Sequence, residues 1–273
     1  MGPGCEMVEE LASALVASHA PLMVCTGAGV SLASGIPTFR GTDPGAVWTA
    51  DVTTMGTNRF FQKNPVESWR WYLGRFDGLE EKLPNPAHRA LVALESWKRE
   101  GERLRNFMLV TQNIDGLHVA AGSRAVVEVH GSARHVRCVR PGCVNAAPEG
   151  MLPRDEVDLD AFRAAPDVGT LPRCPACSAL VRPHVLWFDE YYGDHQSYQY
   201  AAVQVAAGQV GLLLFVGTSF SVGLTESLLR GARGRGIPVW TIDPSTDAAP
   251  LGVRRVNAAA EVALPALVEL VQG

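Results

Sequence analysis

The chain has 273 residues, 47% of them apolar and 19% charged, with a net charge of −4. That length allows one large domain or one domain with a smaller insert, and the near balance of charge offers no basic face for a nucleic acid. No apolar run approaches the roughly 20 residues of a membrane helix, and no basic segment leads an apolar one as in a secretory signal, so a cytoplasmic protein without membrane association is expected.

Val8, Leu11, Leu15 and Val16 recur at helical spacing within residues 6–18, and Pro21 ends that segment. Residues 22–25 form a short buried strand that runs into Thr26-Gly27-Ala28-Gly29-Val30-Ser31. Strand, glycine turn and following helix are the context of a dinucleotide-binding fingerprint. The match is incomplete, because Leu32 replaces the third glycine and no acidic residue ends a strand about twenty positions on. A plain tight turn therefore stays open. On the first reading, Gly27 and Gly29 let the backbone approach a phosphate, which the next helix's N-terminus favours.

Residues 65–76 read as a helix with Trp69, Tyr72 and Phe76 on one face and Arg75 three residues after Tyr72. A second amphipathic helix spans 86–98, with Leu91, Leu94 and Trp97 inward. The apolar strand 107–110 breaks off at Thr111-Gln112-Asn113-Ile114-Asp115-Gly116, a polar cluster that fits either a ligand site at a strand end or an Asx turn capping a helix. Residues 126–129 lead to His130, and the chain returns to its main body at 182–190. The strand 212–216 stops at Gly217-Thr218-Ser219, the last strand (239–242) stops at Asp243, and a helix closes the chain. Strands alternating with helices predict an α/β, Rossmann-like, doubly wound parallel sheet. The expected division is a large domain from residues 1–41, 79–131 and 183–273, a helical part of a small domain at 42–78, and a zinc-binding module at 132–182.

Four of the six cysteines form two close pairs, Cys138-x4-Cys143 and Cys174-x2-Cys177. Two short loops of this kind turn four thiolates onto one tetrahedral zinc and leave no open coordination position, so the Zn2+ is expected to be structural. A redox pair at Cys174 and Cys177 is the alternative. Gly27, Asn113, Asp115, His130, Gly217, Ser219 and Asp243 all fall at carboxyl ends of expected parallel strands, which gathers them into one crevice. His130 suits a general base or, as an isolated residue, a satisfied core histidine.

With those motifs in order, the sequence resembles the sirtuins, NAD-dependent protein-lysine deacylases, over nearly its whole length. The resemblance implies NAD as cofactor, held by Gly27, Ala28, Gly29, Ile36, Phe39, Arg40, Gln112, Asn113, Asp115, Gly217, Thr218, Ser219 and Asp243. Ile36 and Asp115 would meet the nicotinamide carboxamide, and Gln112 the adjoining ribose. It implies that the acyl oxygen attacks the ribose carbon as nicotinamide leaves, and that His130 then deprotonates a ribose hydroxyl, ending in free lysine and O-acyl-ADP-ribose. Val185, Trp187 and Phe188 resemble the segment that pairs with an acyl-lysine peptide by strand addition. Asp189 stands where the family commonly has glycine. Tyr72 and Arg75 after Asn64-Pro65 resemble the branch that removes succinyl and malonyl groups, a phenol and a guanidinium meeting one carboxylate. An NAD-consuming transferase or glycohydrolase on the same fold, or a non-catalytic NAD-binding module, remain as alternatives.

Overall fold

The computed structural model describes residues 3–38, 52–99, 106–220, 223–244 and 249–273. The chain begins with α1 (Pro3–Ala17), β1 (Leu22–Thr26) and a 3-10 turn (Ala28–Ser34), then the short helices α2 (Val52–Met55) and α3 (Asn58–Lys63). There follow α4 (Pro65–Phe76), α5 (Pro86–Arg99), β2 (Phe107–Thr111), α6 (Leu117–Ala120), β3 (Val126–Glu128), β4 (Gly131–Cys138), β5 (Leu152–Pro153) and α7 (Asp160–Ala164). The last part holds β6 (Val181–Val185), α8 (Tyr200–Ala207), β7 (Leu212–Val216), α9 (Gly223–Gly234), β8 (Val239–Ile242), β9 (Val253–Val256) and α10 (Ala260–Gln272).

The unbroken apolar runs of β1, β7 and β8 are buried residue by residue, as a parallel strand covered on both faces must be. They form a six-stranded parallel sheet in the order β3-β2-β1-β7-β8-β9. One face packs against α1, α5 and α10 through residues such as Leu11, Leu91 and Leu264, and the other against α8 and α9 through Val203 and Leu228. Strand order reverses between β1 and β7, and such a switch point opens a crevice at the strands' carboxyl ends.

A second, antiparallel sheet of order β5-β4-β6 lies with α3, α4 and α7 around a third apolar cluster containing Trp69, Tyr72, Val136 and Phe162. The boundary anticipated at residue 183 falls inside β6: Pro183 and Arg182 pair with Val136 and Arg137 of β4, so this segment belongs to the small sheet before the chain returns to the large one.

Two further expectations are corrected. The segment after Gly27 is a 3-10 turn closed by Gly35 in the left-handed region (φ +75°), with no full α-helix. The last strand is β9, which the pattern Val-Arg-Arg-Val conceals. It is a sheet edge, where charge discourages pairing with other chains; Arg254 stacks at 4.3 Å over Trp240 and pairs with Glu10.

Candidate active site

At the switch point the loops after β1 and β7 pack backbone against backbone. Gly29 N–H donates to Gly217 O (2.9 Å), Gly27 N–H to Val216 O (3.0 Å), and Gly217 N–H to Ile242 O (3.0 Å). A Cβ at Gly27 would stand 2.7 Å from Gly217 O, and one at Gly29 2.8 Å from Gly217 Cα. Gly217 itself has φ +58°. These glycines are needed first for one loop to approach the other. Gln112 ties the third strand end in: its amide reaches Thr218 Oγ1 and Thr26 O, both at 3.3 Å.

The polar cluster after β2 converges on a residue that sequence reasoning passed over, Ser31. Its hydroxyl donates to Asp115 Oδ2 (2.7 Å) and accepts from Asn113 Nδ2 (3.1 Å), which also donates to Gly27 O (3.2 Å). Asp115 Oδ1 accepts from Leu117 N–H (2.9 Å), so the Asx turn is present and the same carboxylate faces the crevice loop. Asn113 and Asp115 are 8% and 4% exposed, and each is held by hydrogen bonds. Behind them Thr26 Oγ1 bonds Thr111 Oγ1 (2.9 Å) and His118 Nε2 (3.0 Å), with the His88 ring 4.7 Å from that of His118. Burial pushes His118 down to about 3 and His88 to about 4, so both are neutral at pH 7.

Of the other cofactor candidates, Ile36 is partly buried against the small domain's apolar cluster, Thr218 is buried and Ser219 is exposed. Asp243 follows β8, its N–H bonded to Val256 O (3.2 Å). Ala28 opens the 3-10 turn. Phe39 and Arg40 lie outside the described residues.

His130 sits where β3 leaves the large sheet and β4 enters the small one. Its Nδ1 is 2.8 Å from Gln112 O and its Nε2 3.0 Å from Tyr192 Oη. Burial lowers its pKa to about 4 despite the Gln112 carbonyl, leaving a neutral imidazole at physiological pH. Two residues earlier, burial with help from Asp115 raises Glu128 to about 7.

The segment after β6 departs from an extended strand: Phe188 and Asp189 form a turn. Val185 is paired with Gly131, Leu186 N–H donates to His130 O (2.8 Å), and Phe188 N–H to Gly56 O (3.0 Å). Asp189 accepts from Asn58 N–H (2.7 Å) and Arg59 N–H (3.0 Å), capping the first turn of α3. Below, Glu190 takes Arg137 at 2.8 Å and Arg182 on both carboxylate oxygens, while the Arg182 guanidinium lies 3.3 Å from the Trp187 ring centroid. Burial pushes the Glu190 carboxyl up, but Arg182 and Arg137 outweigh it and hold it below its usual range. Burial, reinforced by Arg137, brings Arg182 down to about 10, still charged. Phe188 remains half exposed.

Helix α4 covers the span expected. Tyr72 packs between Trp69 and Phe76, and its buried hydroxyl has no hydrogen-bond partner among the described residues. Burial raises its pKa, opposed by the field of Arg154. Arg75 lies 4.7 Å over the Trp71 ring.

The four cysteines Cys138, Cys143, Cys174 and Cys177 bring their sulfurs within 4.8 Å of one another. Cys138–Cys177 and Cys143–Cys174 separations are 3.4 and 3.7 Å, far longer than a disulfide. Zn–S bonds of ~2.3 Å in a tetrahedron place sulfurs about 3.8 Å apart, so the donor set fits zinc. Arg140 N–H and Asn145 Nδ2 donate to Cys138 and Cys174 sulfurs, both at 3.4 Å, as thiolate ligands require.

The Sir2 family model matches residues 27–223. NAD-dependent protein deacylase 1 of Pseudomonas aeruginosa is 41% identical over 231 residues, 84% of this chain and 85% of its own. The mitochondrial NAD-dependent protein deacylase sirtuin-5 of Danio rerio is 37% identical over 226 residues, 80% of this chain and 72% of its own. A solved Sir2 homologue complexed with NAD is 32% identical, covers 97% of this chain and 93% of its own, and superimposes with TM-score 0.75. This chain belongs to the Sir2 family.

Proposed function

We propose that the protein is an NAD-dependent protein-lysine deacylase with one structural zinc, acting on acyl-lysine proteins or peptides. The observation that carries this reading is the convergence of Asn113, Asp115 and Ser31 beside the glycine-packed loops of the switch point, with a neutral histidine at the neighbouring strand end. NAD would supply the ribose carbon whose bond to nicotinamide breaks. The residues that would hold it are Gly27, Ala28, Gly29 and Ile36 on one side, Gln112, Asn113 and Asp115 on the second strand end, and Gly217, Thr218, Ser219 and Asp243 on the third and fourth; Phe39 and Arg40 complete the set. The large sheet would carry the dinucleotide, and the small sheet the metal and the acyl side.

His130 has the tautomer a base needs. A carbonyl only accepts, so the hydrogen between the ring and Gln112 O is on Nδ1, and Nε2 keeps the lone pair that would take a proton from a substrate hydroxyl. Asn113 and Asp115, already oriented, would face charge developing on the sugar without reorganising.

An acidic acyl group is the preferred cargo in this reading. Tyr72 Oη, buried and unpartnered among the described residues, is a donor that a carboxylate would satisfy, in a field where Arg154 and Arg182 are set against Glu80 and Asp77. Val185, Trp187 and Phe188 would flank the peptide. A reducing compartment such as the cytoplasm suits the chain, in which Cys25 is a free, buried thiol.

A panel of succinyl-, malonyl- and acetyl-lysine peptides assayed with NAD tests both parts. The expected result is nicotinamide release that depends on peptide, with kcat/KM highest for succinyl and reduced for it by Arg75→Met. Equal rates with acetyl peptide, unaffected by Arg75→Met, would remove the acyl preference. Nicotinamide release without peptide would point to a glycohydrolase, and unchanged turnover in His130→Ala to a different base or none.

A further inference from the structure

Tyr192 opens a short 3-10 turn just beyond Glu190 and is held from two sides. Tyr191 N–H donates to Asp194 (2.8 Å), which closes the turn. The Tyr192 ring stacks on Tyr200 at the start of α8, with centroids 4.4 Å apart and planes 13° apart. Its other neighbour is His130, with ring centroids 5.8 Å apart and planes 24° apart. The hydroxyl lies 3.0 Å from Nε2. Because Nδ1–H is committed to Gln112 O, the imidazole can only accept at Nε2, and the phenol is the donor.

We propose that Tyr192 is a positioning residue for His130: its hydroxyl holds the working lone pair of the base until a substrate hydroxyl displaces it. The inference rests on His130 acting as the base, but the contact itself is measurable without turnover. It is a specific use of the phenol. Stacking alone would be met equally by phenylalanine, whereas a donor aimed at Nε2 competes with protonation there and with the substrate.

Among the described residues, no charged group figures in the electrostatic surroundings of either ring. Facing the pair are the Gln112 carbonyl at the end of β2, the Tyr200 phenol of α8 and the Cys25 thiol of β1, which burial pushes up to about 12. Glu128, on β3, is turned to Asp115, Arg134 and Ser132.

The test is nitrogen NMR of histidine-labelled full-length protein, wild type against Tyr192→Phe, with steady-state kinetics across pH. In wild type, Nε2 should report a hydrogen-bonded acceptor; in the variant, a free one. Loss of one neutral hydrogen bond to the unprotonated ring should raise the His130 pKa by about half to one unit. The acid limb of kcat/KM should move up by the same amount, with kcat/KM at neutral pH raised about three- to tenfold and kcat little changed. Tyr192→Leu, which also removes the stack, should give the same displacement of pKa. An unmoved His130 pKa in both variants overturns the proposal, as does a kcat that falls tenfold or more in Tyr192→Phe, which would make the hydroxyl a participant. If the pKa moves but no acyl peptide is turned over, the deacylase reading fails and the contact stands.

Discussion

Between β1 and β7 the chain packs backbone on backbone, while beneath the turn after β6 it packs charge on charge. In the first region three glycines bring two loops together, and the polar side chains that remain, Ser31, Asn113 and Asp115, bond one another. In the second, two buried guanidiniums converge on one carboxylate and a tryptophan face. The large sheet has two thick apolar layers to rest on; the small one shares a single apolar cluster with two of its cysteines. Where one apolar cluster serves a whole sheet, four converging cysteines and a buried ion-pair cluster add further fixed points.

Removing the metal should break the comparison most completely. Chelation, or Cys174→Ala, should abolish activity and lower the melting temperature together, since the small sheet has no replacement for the cluster. Calorimetry alongside activity checks this, and a metal-free protein that keeps full thermal stability would contradict it. Next is Glu190→Ala, which leaves Arg137 and Arg182 buried without a counter-charge; a loss of about 3–5 kcal/mol by urea unfolding is expected. Gly29→Ala probes the other region. With its Cβ 2.8 Å from Gly217 Cα, it should cost about 1–3 kcal/mol and weaken NAD binding, measured by calorimetric titration.

Acid sharpens the contrast, because both regions contain buried neutral histidines. His118 and His88 stand behind the large sheet's strand ends, and burial lowers them to about 3 and 4; His184, on β6, is lowered by burial and by His195 to about 2. Each is unprotonated in the folded chain yet takes up a proton once unfolded below about pH 6.5. The unfolded state therefore binds more protons, and stability falls as pH drops below about 6.5 toward 4, by up to about 1.4 kcal/mol per pH unit for each group. Urea midpoints that stay flat from pH 7 to 5 would contradict this, and comparing His118→Gln with His184→Gln shows which sheet yields first. The smallest effect belongs to Asp189→Gly. Losing a cap on α3 should cost about 1 kcal/mol and raise the KM for peptide while leaving that for NAD unchanged.

Much of this was legible in the residues. The helix 65–76 and the strand 212–216 are bounded by proline and glycine and carry unmixed patterns, so their limits could be read directly. The cysteine spacing implied the cluster that forms. What escaped was decided across the fold. Ser31 is an ordinary serine until Asn113 and Asp115, more than eighty positions away, turn toward it. The strand holding Arg254 and Arg255 has no apolar run to announce it; a tryptophan face and a glutamate give Arg254 its place on the sheet edge. Tyr192 carries no motif, because its meaning is a single bond to His130. Asp189, which stands where the family commonly has glycine, accepts one amide of α3 on each carboxylate oxygen, so its place is in the frame of that segment.

The ladder joining Leu186 N–H to His130 O, and Val185 to Gly131, has one more consequence. The stretch that would grip a peptide and the imidazole that would act on it lie on two backbone segments paired directly with each other. Gly131, at φ +78° and with His184 O where a Cβ would go, leaves no slack between them. Variation that retunes the peptide grip by shifting main chain will drag the imidazole along, so new preferences should arise by exchanging side chains on a fixed track.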